Sequence, residues 1–167
     1  MKVDQTIERC RELIAEPLGA IAERWKESHP GGRAVACFPV WSPAEVIHAG
    51  GMLPLGLLGG GATVELTHAD SRFQSFVCSI AKSSLELGFQ GLLKGVDGLV
   101  FSNICDVARN LSSIYKRNFP HFHVDYLHLA QNSTSAGVSD YMAEELRRLA
   151  RGFEEAFGVR VTDAALT

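Results

Sequence analysis

The chain has 167 residues, 46% of them hydrophobic, and carries a net charge of −3 from 16 Lys+Arg and 19 Asp+Glu. These values predict one folded domain rather than a disordered chain, and they give no basic footprint for nucleic acid. No apolar run approaches the ~20 residues of a membrane helix, and the charged N-terminus is unlike a signal peptide, so we expect a cytoplasmic domain that binds no membrane.

The first thirty residues predict a helical segment. Apolar residues recur at three- and four-residue steps from Val3 to about Glu27, with Pro17 interrupting the pattern. The run His29-Pro30-Gly31-Gly32 is a strong stop signal. We therefore divide the chain into an N-terminal helical segment, residues 1–30, and a domain over residues 31–167.

Short apolar runs alternate with amphipathic stretches throughout the second part. The runs that predict strands are Ala34–Phe38, Leu53–Leu58, Gly98–Phe101 and Phe122–Leu127. The stretches that predict helices begin at Ser42 and cover Phe73–Phe89, Ile104–Tyr115 and Ser139–Phe157, the last ending at Gly158. This alternation predicts a three-layer Rossmann- or flavodoxin-like α/β domain, with a parallel sheet of about four strands.

Four cysteines are spread along the chain without a C-x-x-C pair, which leaves zinc ribbons and thioredoxin-type motifs without support. Walker A and G-x-G-x-x-G motifs are also absent. Cys10 and Cys37 are expected to be packing residues. Cys78 and Cys105 are candidates for function, because they follow predicted strands and ligands of parallel sheets bind beyond the carboxyl ends of the strands.

Cys105 follows the predicted strand that ends at Phe101. Asn103 is the expected helix cap, with Asp106 three residues later, which places Cys105 in the first helical turn. A helix N-terminus favours a thiolate, the form that ligates metal or attacks as a nucleophile. The alternative is a cysteine that serves only as a small buried side chain.

Cys78 has two interpretations that depend on where its helix begins. A start near Ser75 puts the thiol in a first turn at the same sheet edge as Cys105. A start near Ser71 makes it an ordinary mid-helix residue between Val77 and Ile80. Periodicity slightly favours the second interpretation.

The segment after the first predicted strand contains an S-x-x-E capping box formed by Ser42 and Glu45, with Pro43 at the first helical position. The box explains these residues structurally. Glu45 and His48 are nevertheless candidates for a general acid, and Trp41 and Ser42 are candidates for substrate binding.

Three polar residues flank or occupy the fourth predicted strand: His121 just before it, and His123 and Asp125 within it. Strand alternation puts all three on one face. A metal site there is conceivable, although a merely polar strand edge is favoured. The run Gly59-Gly60-Gly61 is interpreted as a flexible turn.

Three ordered blocks then show a family resemblance. They are residues 42–61, from Ser-Pro-Ala-Glu to Gly-Gly-Gly; residues 76–88, Phe-Val-Cys-Ser-Ile-Ala-Lys-Ser-Ser-Leu-Glu-Leu-Gly; and residues 96–111, which include Ser-Asn-Ile-Cys-Asp. They resemble the 2-hydroxyacyl-CoA dehydratase and benzoyl-CoA reductase family, of the 2-hydroxyglutaryl-CoA dehydratase D-component type. The likeness covers about residues 33–167 and is strongest to the C (gamma) subunits of ATP-dependent benzoyl-CoA reductases.

The resemblance implies that Cys78 and Cys105 match two cysteine ligands of a [4Fe–4S] cluster. It also implies a heterodimer with a related subunit, an acyl-CoA substrate, and an ATP-hydrolysing iron–sulfur activator that supplies low-potential electrons. In the reductases these electrons reduce an aromatic acyl-CoA ring to a cyclic diene. In the dehydratases, which are lyases, one electron starts a radical elimination of the 2-hydroxyl group.

Family subunits are longer and continue into a second α/β domain that carries another cluster cysteine. No cysteine follows Cys105 here, so the resemblance implies that this chain lacks the third protein ligand and is inactive alone. Two explanations stay open: an N-terminal fragment, or a natural truncation that serves only as an inactive partner-binding domain.

Overall fold

A computed structural model describes residues 3–61 and 64–166. Within these residues the helices are α1 (Val3–Ala15), α2 (Leu18–Ser28), α3 (Ala44–Ala49), α4 (Ser79–Phe89), α5 (Asp106–Asn118), α6 (Val138–Phe157) and α7 (Asp163–Leu166). The strands are β1 (Ala34–Cys37), β2 (Leu53–Gly56), β3 (Gly98–Ser102) and β4 (His123–Leu127).

The four strands form one parallel sheet in the order β2-β1-β3-β4. Cys37 lies opposite Gly56 on one side and Val100 on the other, so β1 and β3 are the central strands. The chain adds strands outward in both directions from this central pair. The order therefore reverses between β1 and β3, and a crevice opens at their carboxyl ends. The predicted α/β fold and parallel sheet are confirmed.

Two hydrophobic cores lie on opposite faces of the sheet. One is formed with α4 and α5, and its fully buried members include Leu85, Leu99, Phe101 and Tyr115. The other is formed with α3 and α6, and it includes Ile47, Val100 and Phe153. Side chains of β3 alternate between these cores, as expected for a strand covered on both faces.

Proline and glycine define the two best-predicted helix boundaries. Pro17 separates α1 from α2, as its missing N–H and fixed φ predict. Gly158 ends α6 in the left-handed conformation, at φ +70°.

No helix in the described part of the chain is both long and apolar enough to cross a membrane.

The expected packing role of Cys10 is wrong, because α1 leaves this thiol exposed. Cys37 is buried in β1, as predicted. The difference in burial between the two thiols follows from what α1 and β1 pack against. β1 lies in the middle of the sheet, whereas every α1 side chain whose burial the structure describes is exposed.

Candidate functional site

The site lies at the carboxyl edge of the sheet, where α3, α4 and α5 all begin. The loops that follow β1 and β3 border the central crevice. Helix N-termini at this edge point unsatisfied N–H groups and the positive ends of their dipoles toward the same region. The arrangement suits ligands that carry negative charge.

Cys105 is the N-cap residue of α5. Its Sγ accepts a hydrogen bond from the backbone N–H of Ala108 at 3.4 Å, and its backbone is extended. The thiol is exposed and free of any disulfide. Cys105 therefore lies one position before the predicted first turn, with its sulfur facing the open N–H groups of the helix.

Asn103 is not the cap that the sequence pattern predicted. Its side-chain amide donates to the carbonyl of Leu129 at 2.9 Å, and its Oδ1 accepts from the Leu129 N–H at 2.7 Å. This paired contact ties the loop after β3 to the chain beyond β4. Asn103 thus fixes the position of the loop that leads to Cys105.

Cys78 is the N-cap residue of α4, with an extended backbone and an exposed thiol. The helix begins at Ser79, later than either start that the sequence suggested. Of the two open interpretations, the structure favours a thiol at the helix N-terminus. The mid-helix interpretation is wrong, because no helix precedes Cys78 in this segment. Phe73 and Val77 contact the core from irregular backbone, and their four-residue spacing resembles that of a helix.

Helices α4 and α5 pack against each other on one face of the sheet. A Cβ on Gly88 would come within 2.9 Å of the Phe119 ring and 3.1 Å of the Tyr115 ring, so only glycine permits this approach. The Tyr115 hydroxyl donates to the backbone carbonyl of Ser84. The two cysteines therefore start neighbouring, tightly packed helices.

Polar groups on the buried face of α4 bind the segment before Cys78, at residues 68–70. Glu86, which has no exposed surface, accepts hydrogen bonds from the backbone N–H groups of His68 and Ala69 at 2.9 and 2.8 Å, and its other oxygen contacts the His68 ring at 2.8 Å. Lys82 pairs with Asp70 at 2.8 Å. These contacts fix the path along which the chain enters α4.

Burial acts to raise the pKa of Glu86, but the hydrogen bonds from His68, Ala69 and Gln90 outweigh it and hold the pKa below its ordinary value of 4.5. The carboxylate is therefore charged in the folded protein. The sequence signal for this group is a glutamate and a lysine, Glu86 and Lys82, four residues apart on the buried face of α4.

The turn after β1 has an unusual backbone. Val40 and Trp41 have φ values of +73° and +58°, a region that non-glycine residues rarely enter and that is especially unfavourable for β-branched valine. Both side chains are exposed, Trp41 at 73%. Two strained residues in succession at the mouth of the crevice mark this turn as a candidate functional segment.

The predicted capping box is wrong. Pro43, not Ser42, is the N-cap residue of α3, and the helix has no side-chain cap. The left-handed turn at Val40 and Trp41 redirects the chain and leaves Ser42 exposed. Ser42 and Trp41 both border the crevice between β1 and β3, so their candidacy for binding stays a prediction.

Glu45 and His48, the candidate general acids, lie exposed on α3. Glu45 faces a groove between α3, α6 and α7 and shares it with Arg147 and Arg151. Among the described residues, no hydrogen bond or ion pair joins Glu45 or His48 to either cysteine. Their proposed catalytic role is untested by this arrangement.

The three polar residues near β4 do not come together as a metal site. His121 precedes the strand, and its ring packs on Phe122 at 4.2 Å between centroids. His123 and Asp125 share a face, but Asp125 pairs with Arg148 at 3.0 Å. Over residues 3–61 and 64–166, no group of three or more potential ligands is arranged to hold a metal ion.

Burial lowers the pKa of His123 below its ordinary value of 6.5; Asp125 opposes this shift and Lys116 adds to it. The unfolded chain therefore takes up this proton at higher pH than the folded chain. Stability contributed by neutral His123 is present above about pH 6.5 and is lost as the pH falls through the lower, folded pKa.

A His123→Phe variant is expected to lose this pH dependence while remaining folded, because the ring already packs edge-on against Phe153 and Phe157. Urea unfolding measured from about pH 5 to about pH 7 reports the effect as a change in the pH slope of the free energy of unfolding. The matched control is His48→Phe at an exposed position. If His123→Phe keeps the slope of the parent, burial of His123 is not its cause.

Comparison with known proteins decides the family. Residues 39–167 match the family model described as 2-hydroxyglutaryl-CoA dehydratase, D-component. The chain belongs to this dehydratase D-component family.

The similar proteins include a benzoyl-CoA reductase subunit and acyl-CoA dehydratase subunits. The chain is 41% identical over 166 residues to the C subunit of benzoyl-CoA reductase from Thauera aromatica, covering 99% of this chain and 43% of that protein. It is 28% identical over 166 residues to the beta subunit of lactoyl-CoA dehydratase from Anaerotignum propionicum, covering 99% and 42%. A third relative, the beta subunit of (R)-2-hydroxyglutaryl-CoA dehydratase from Acidaminococcus fermentans, is 33% identical over 116 residues, covering 70% and 30%. The chain thus spans less than half the length of these relatives.

Proposed function

We propose that this chain is the cluster-binding N-terminal part of an acyl-CoA-converting enzyme subunit of the benzoyl-CoA reductase type. The observation that carries the proposal is the 41% identity to the benzoyl-CoA reductase C subunit over nearly the whole chain. The placement of Cys78 and Cys105 at the N-caps of two neighbouring helices supports it. As a D-component family member, the chain would act within a complex of subunits.

Cys78 and Cys105 fit two of the ligand positions of a [4Fe–4S] cluster. Both thiols are exposed at one edge of the sheet, and thiolates at helix N-termini gain from the helix dipole. The described residues supply no third ligand beside them, so the remaining coordination would come from other parts of a longer subunit or from a partner. A cluster bound there would supply one-electron transfer at low potential.

The fold of this chain would hold the two thiols at a fixed spacing. Gly88 permits the close contact of α4 with α5, and Asn103 pins the loop that precedes Cys105. Glu86 fixes the segment that precedes Cys78. This rigid framing favours an electron-carrying role, since such a role needs little movement of the ligands.

An apolar surface around the cysteines supports assembly with a second, related subunit. Large exposed hydrophobic side chains follow the strand ends or begin the helices at this edge: Val40, Trp41, Leu58, Phe76, Ile80 and Ile104. Exposed apolar patches of this kind mark interaction surfaces. We propose that this edge is covered by a related family subunit, and that an ATP-hydrolysing iron–sulfur activator delivers electrons to the complex.

The test is the product formed from an acyl-CoA by a complex of this chain, a related subunit and the activator, under anaerobic conditions with ATP and a low-potential chemical reductant that supplies the two electrons which ring reduction consumes. Benzoyl-CoA is expected to yield a cyclic diene carbonyl-CoA, identified by mass spectrometry and ultraviolet absorption. A second candidate, radical dehydration, is favoured by the 28% and 33% identities to dehydratase beta subunits. A complex that leaves benzoyl-CoA unchanged and converts a 2-hydroxyacyl-CoA into an enoyl-CoA contradicts the reductase proposal and establishes the dehydratase.

A further inference from the structure

Both helices that begin at a candidate cysteine carry a cation at the same position of the first turn. On α4, Lys82 follows Cys78 by four residues. On α5, Arg109 follows Cys105 by the same spacing. The backbone N–H groups of the two basic residues donate to the carbonyls of their cysteines at 3.3 and 3.1 Å. Each cation therefore belongs to the helical turn that its cysteine begins.

The start of a helix is an unfavourable place for a cation, because the N-terminal end of the helix dipole is positive. On α4 the cost is larger, since Lys82 is only 8% exposed. A buried lysine gives up hydration of its ammonium group and is normally found only beside an anion. The position of Lys82 is thus explained only if negative charge lies close to this end of α4.

Asp70, the carboxylate that pairs with Lys82, supplies only part of that charge. The Lys82 Nζ lies 2.8 Å from the Asp70 Oδ1 and 3.4 Å from the carbonyl oxygen of Ser75, three residues before Cys78. The side chain therefore turns back toward the start of α4, as long side chains on helices do. The Asp70 side chain is 58% exposed. Water and salt screen an exposed charge more than a buried one, so Lys82 is left incompletely balanced.

Arg109 on α5 has still less compensation. Its side chain is exposed, and no carboxylate pairs with it among the residues that the structure describes. Asp106 lies in the same turn but forms no ion pair with Arg109. The three arginines of α6, in contrast, all pair with carboxylates: Arg147, Arg148 and Arg151. The start of α5 therefore holds a guanidinium group that is available to a further anion.

From this placement we infer that Lys82 and Arg109 act through the thiolates of Cys78 and Cys105, and balance the negative charge of the group that these cysteines hold. Neither cation is a ligand. A metal centre with thiolate ligands is anionic, and the charge around it contributes to its reduction potential. Two nearby cations favour its reduction, which adds one more negative charge. The inference rests on the proposed function, which supplies the group that the thiols bind.

The test measures the electrostatic potential at each thiol in the 167-residue chain without a cluster. Alkylation rates are compared for iodoacetate, which is anionic, and iodoacetamide, which is neutral, by peptide mass spectrometry. Both reagents attack the same thiolate, so the ratio of the two rates reports the local potential and not the thiolate fraction. We expect Lys82→Met to lower the ratio at Cys78, and Arg109→Met to lower it at Cys105, by about two- to fivefold at low salt. The difference should shrink at about 1 M salt.

Charge-conserving variants separate the charge from the shape of these side chains. Lys82→Arg and Arg109→Lys should keep the parental ratios. Asp70→Asn breaks the ion pair but leaves the charge of Lys82 in place, so it should not lower the ratio at Cys78. A purely structural role of the ion pair predicts the same change in Asp70→Asn as in Lys82→Met. Cys10 is the internal reference, because it lies on α1 and its ratio should be equal in all variants.

Unchanged ratios at Cys78 in Lys82→Met and at Cys105 in Arg109→Met overturn the inference. An equal fall in Lys82→Met and Asp70→Asn overturns it for Lys82. Arg109→Met changes an exposed side chain, so its result stands even if the buried substitution at Lys82 prevents folding.

A second readout is the reduction potential of the reconstituted complex, followed by electron paramagnetic resonance. Lys82→Met and Arg109→Met should shift the potential to more negative values, and Lys82→Arg should not; parental potentials in both methionine variants contradict the inference. Failure of the proposed function is a separate result, seen as missing product in the assembled complex. The alkylation ratios do not depend on it, because they are measured without a cluster.

Discussion

Glu86→Ala is expected to lower the free energy of unfolding by about 3 kcal/mol or more, because loss of a buried charged acceptor leaves its hydrogen-bond donors buried without partners. In the parent protein the carboxylate satisfies two backbone N–H groups, of His68 and Ala69, and contacts the His68 ring. Alanine removes these three contacts and the hydrogen bond from Gln90, and it leaves a cavity. The segment before Cys78 should then detach from α4. Urea denaturation at neutral pH measures the change.

Glu86→Gln separates the charge from the shape of the side chain. The pKa of Glu86 lies below its ordinary value of 4.5, so the stabilising charge is present above that pH and is lost as the pH falls through the folded pKa. The stability difference between the parent and Glu86→Gln should therefore shrink below about pH 4.5. The control is Glu144→Gln, a surface carboxylate paired with Arg151, which should change stability little. A Glu86→Ala protein as stable as this control would show that the buried carboxylate does not anchor the segment.

Cys78→Ser and Cys105→Ser are expected to abolish turnover by the assembled complex, reducing it by at least about two orders of magnitude, because each removes a proposed cluster ligand. Both thiols are exposed N-cap residues, and serine is itself a good N-cap residue. The variants should consequently fold as stably as the parent. Circular dichroism melts and product assays, measured side by side, separate loss of function from loss of structure.

The matched control for the cysteine variants is Cys10→Ser. Cys10 is also exposed and free, but it lies on α1, before the first strand of the sheet. Turnover by this variant should equal that of the parent. If Cys78→Ser or Cys105→Ser retains parental turnover, that residue is not a ligand of the electron carrier.

The elements that sequence patterns predicted well are those determined locally. The four predicted apolar runs contain the four observed strands, Pro17 lies between the two N-terminal helices, and Gly158 ends α6. In each case a few adjacent residues carry the physical cause, such as the missing N–H of proline or the freedom of glycine at positive φ.

The parts that sequence patterns missed depend on contacts between distant residues. Glu86 accepts hydrogen bonds from His68 and Ala69, which lie 18 and 17 residues before it. The segment that it holds is not helical up to Cys78, so α4 begins only at Ser79. Asn103 pairs with Leu129, 26 residues away, instead of capping α5. In both places a plausible local pattern was overridden by a long-range hydrogen bond that periodicity does not contain.

The candidate site was predictable in part. The positions of Cys78 and Cys105 along the chain, together with the family resemblance, indicated two thiols at the carboxyl edge, and the structure places both at helix N-caps there. The burial of Lys82 and the strained turn at Val40 could not be predicted, because burial and backbone dihedrals arise only from the folded chain.

Anaerobic reconstitution with iron and sulfide tests the central proposal most directly, with iron and sulfide counted per chain and spectra recorded. The chain is studied together with its related subunit, and Cys78→Ser, Cys105→Ser and Cys10→Ser are prepared in parallel. We expect a stoichiometric [4Fe–4S] cluster in the parent and in Cys10→Ser, and its loss in both other variants. A cluster that forms equally well in Cys78→Ser and Cys105→Ser as in the parent would contradict the proposal that these two thiols hold the electron carrier.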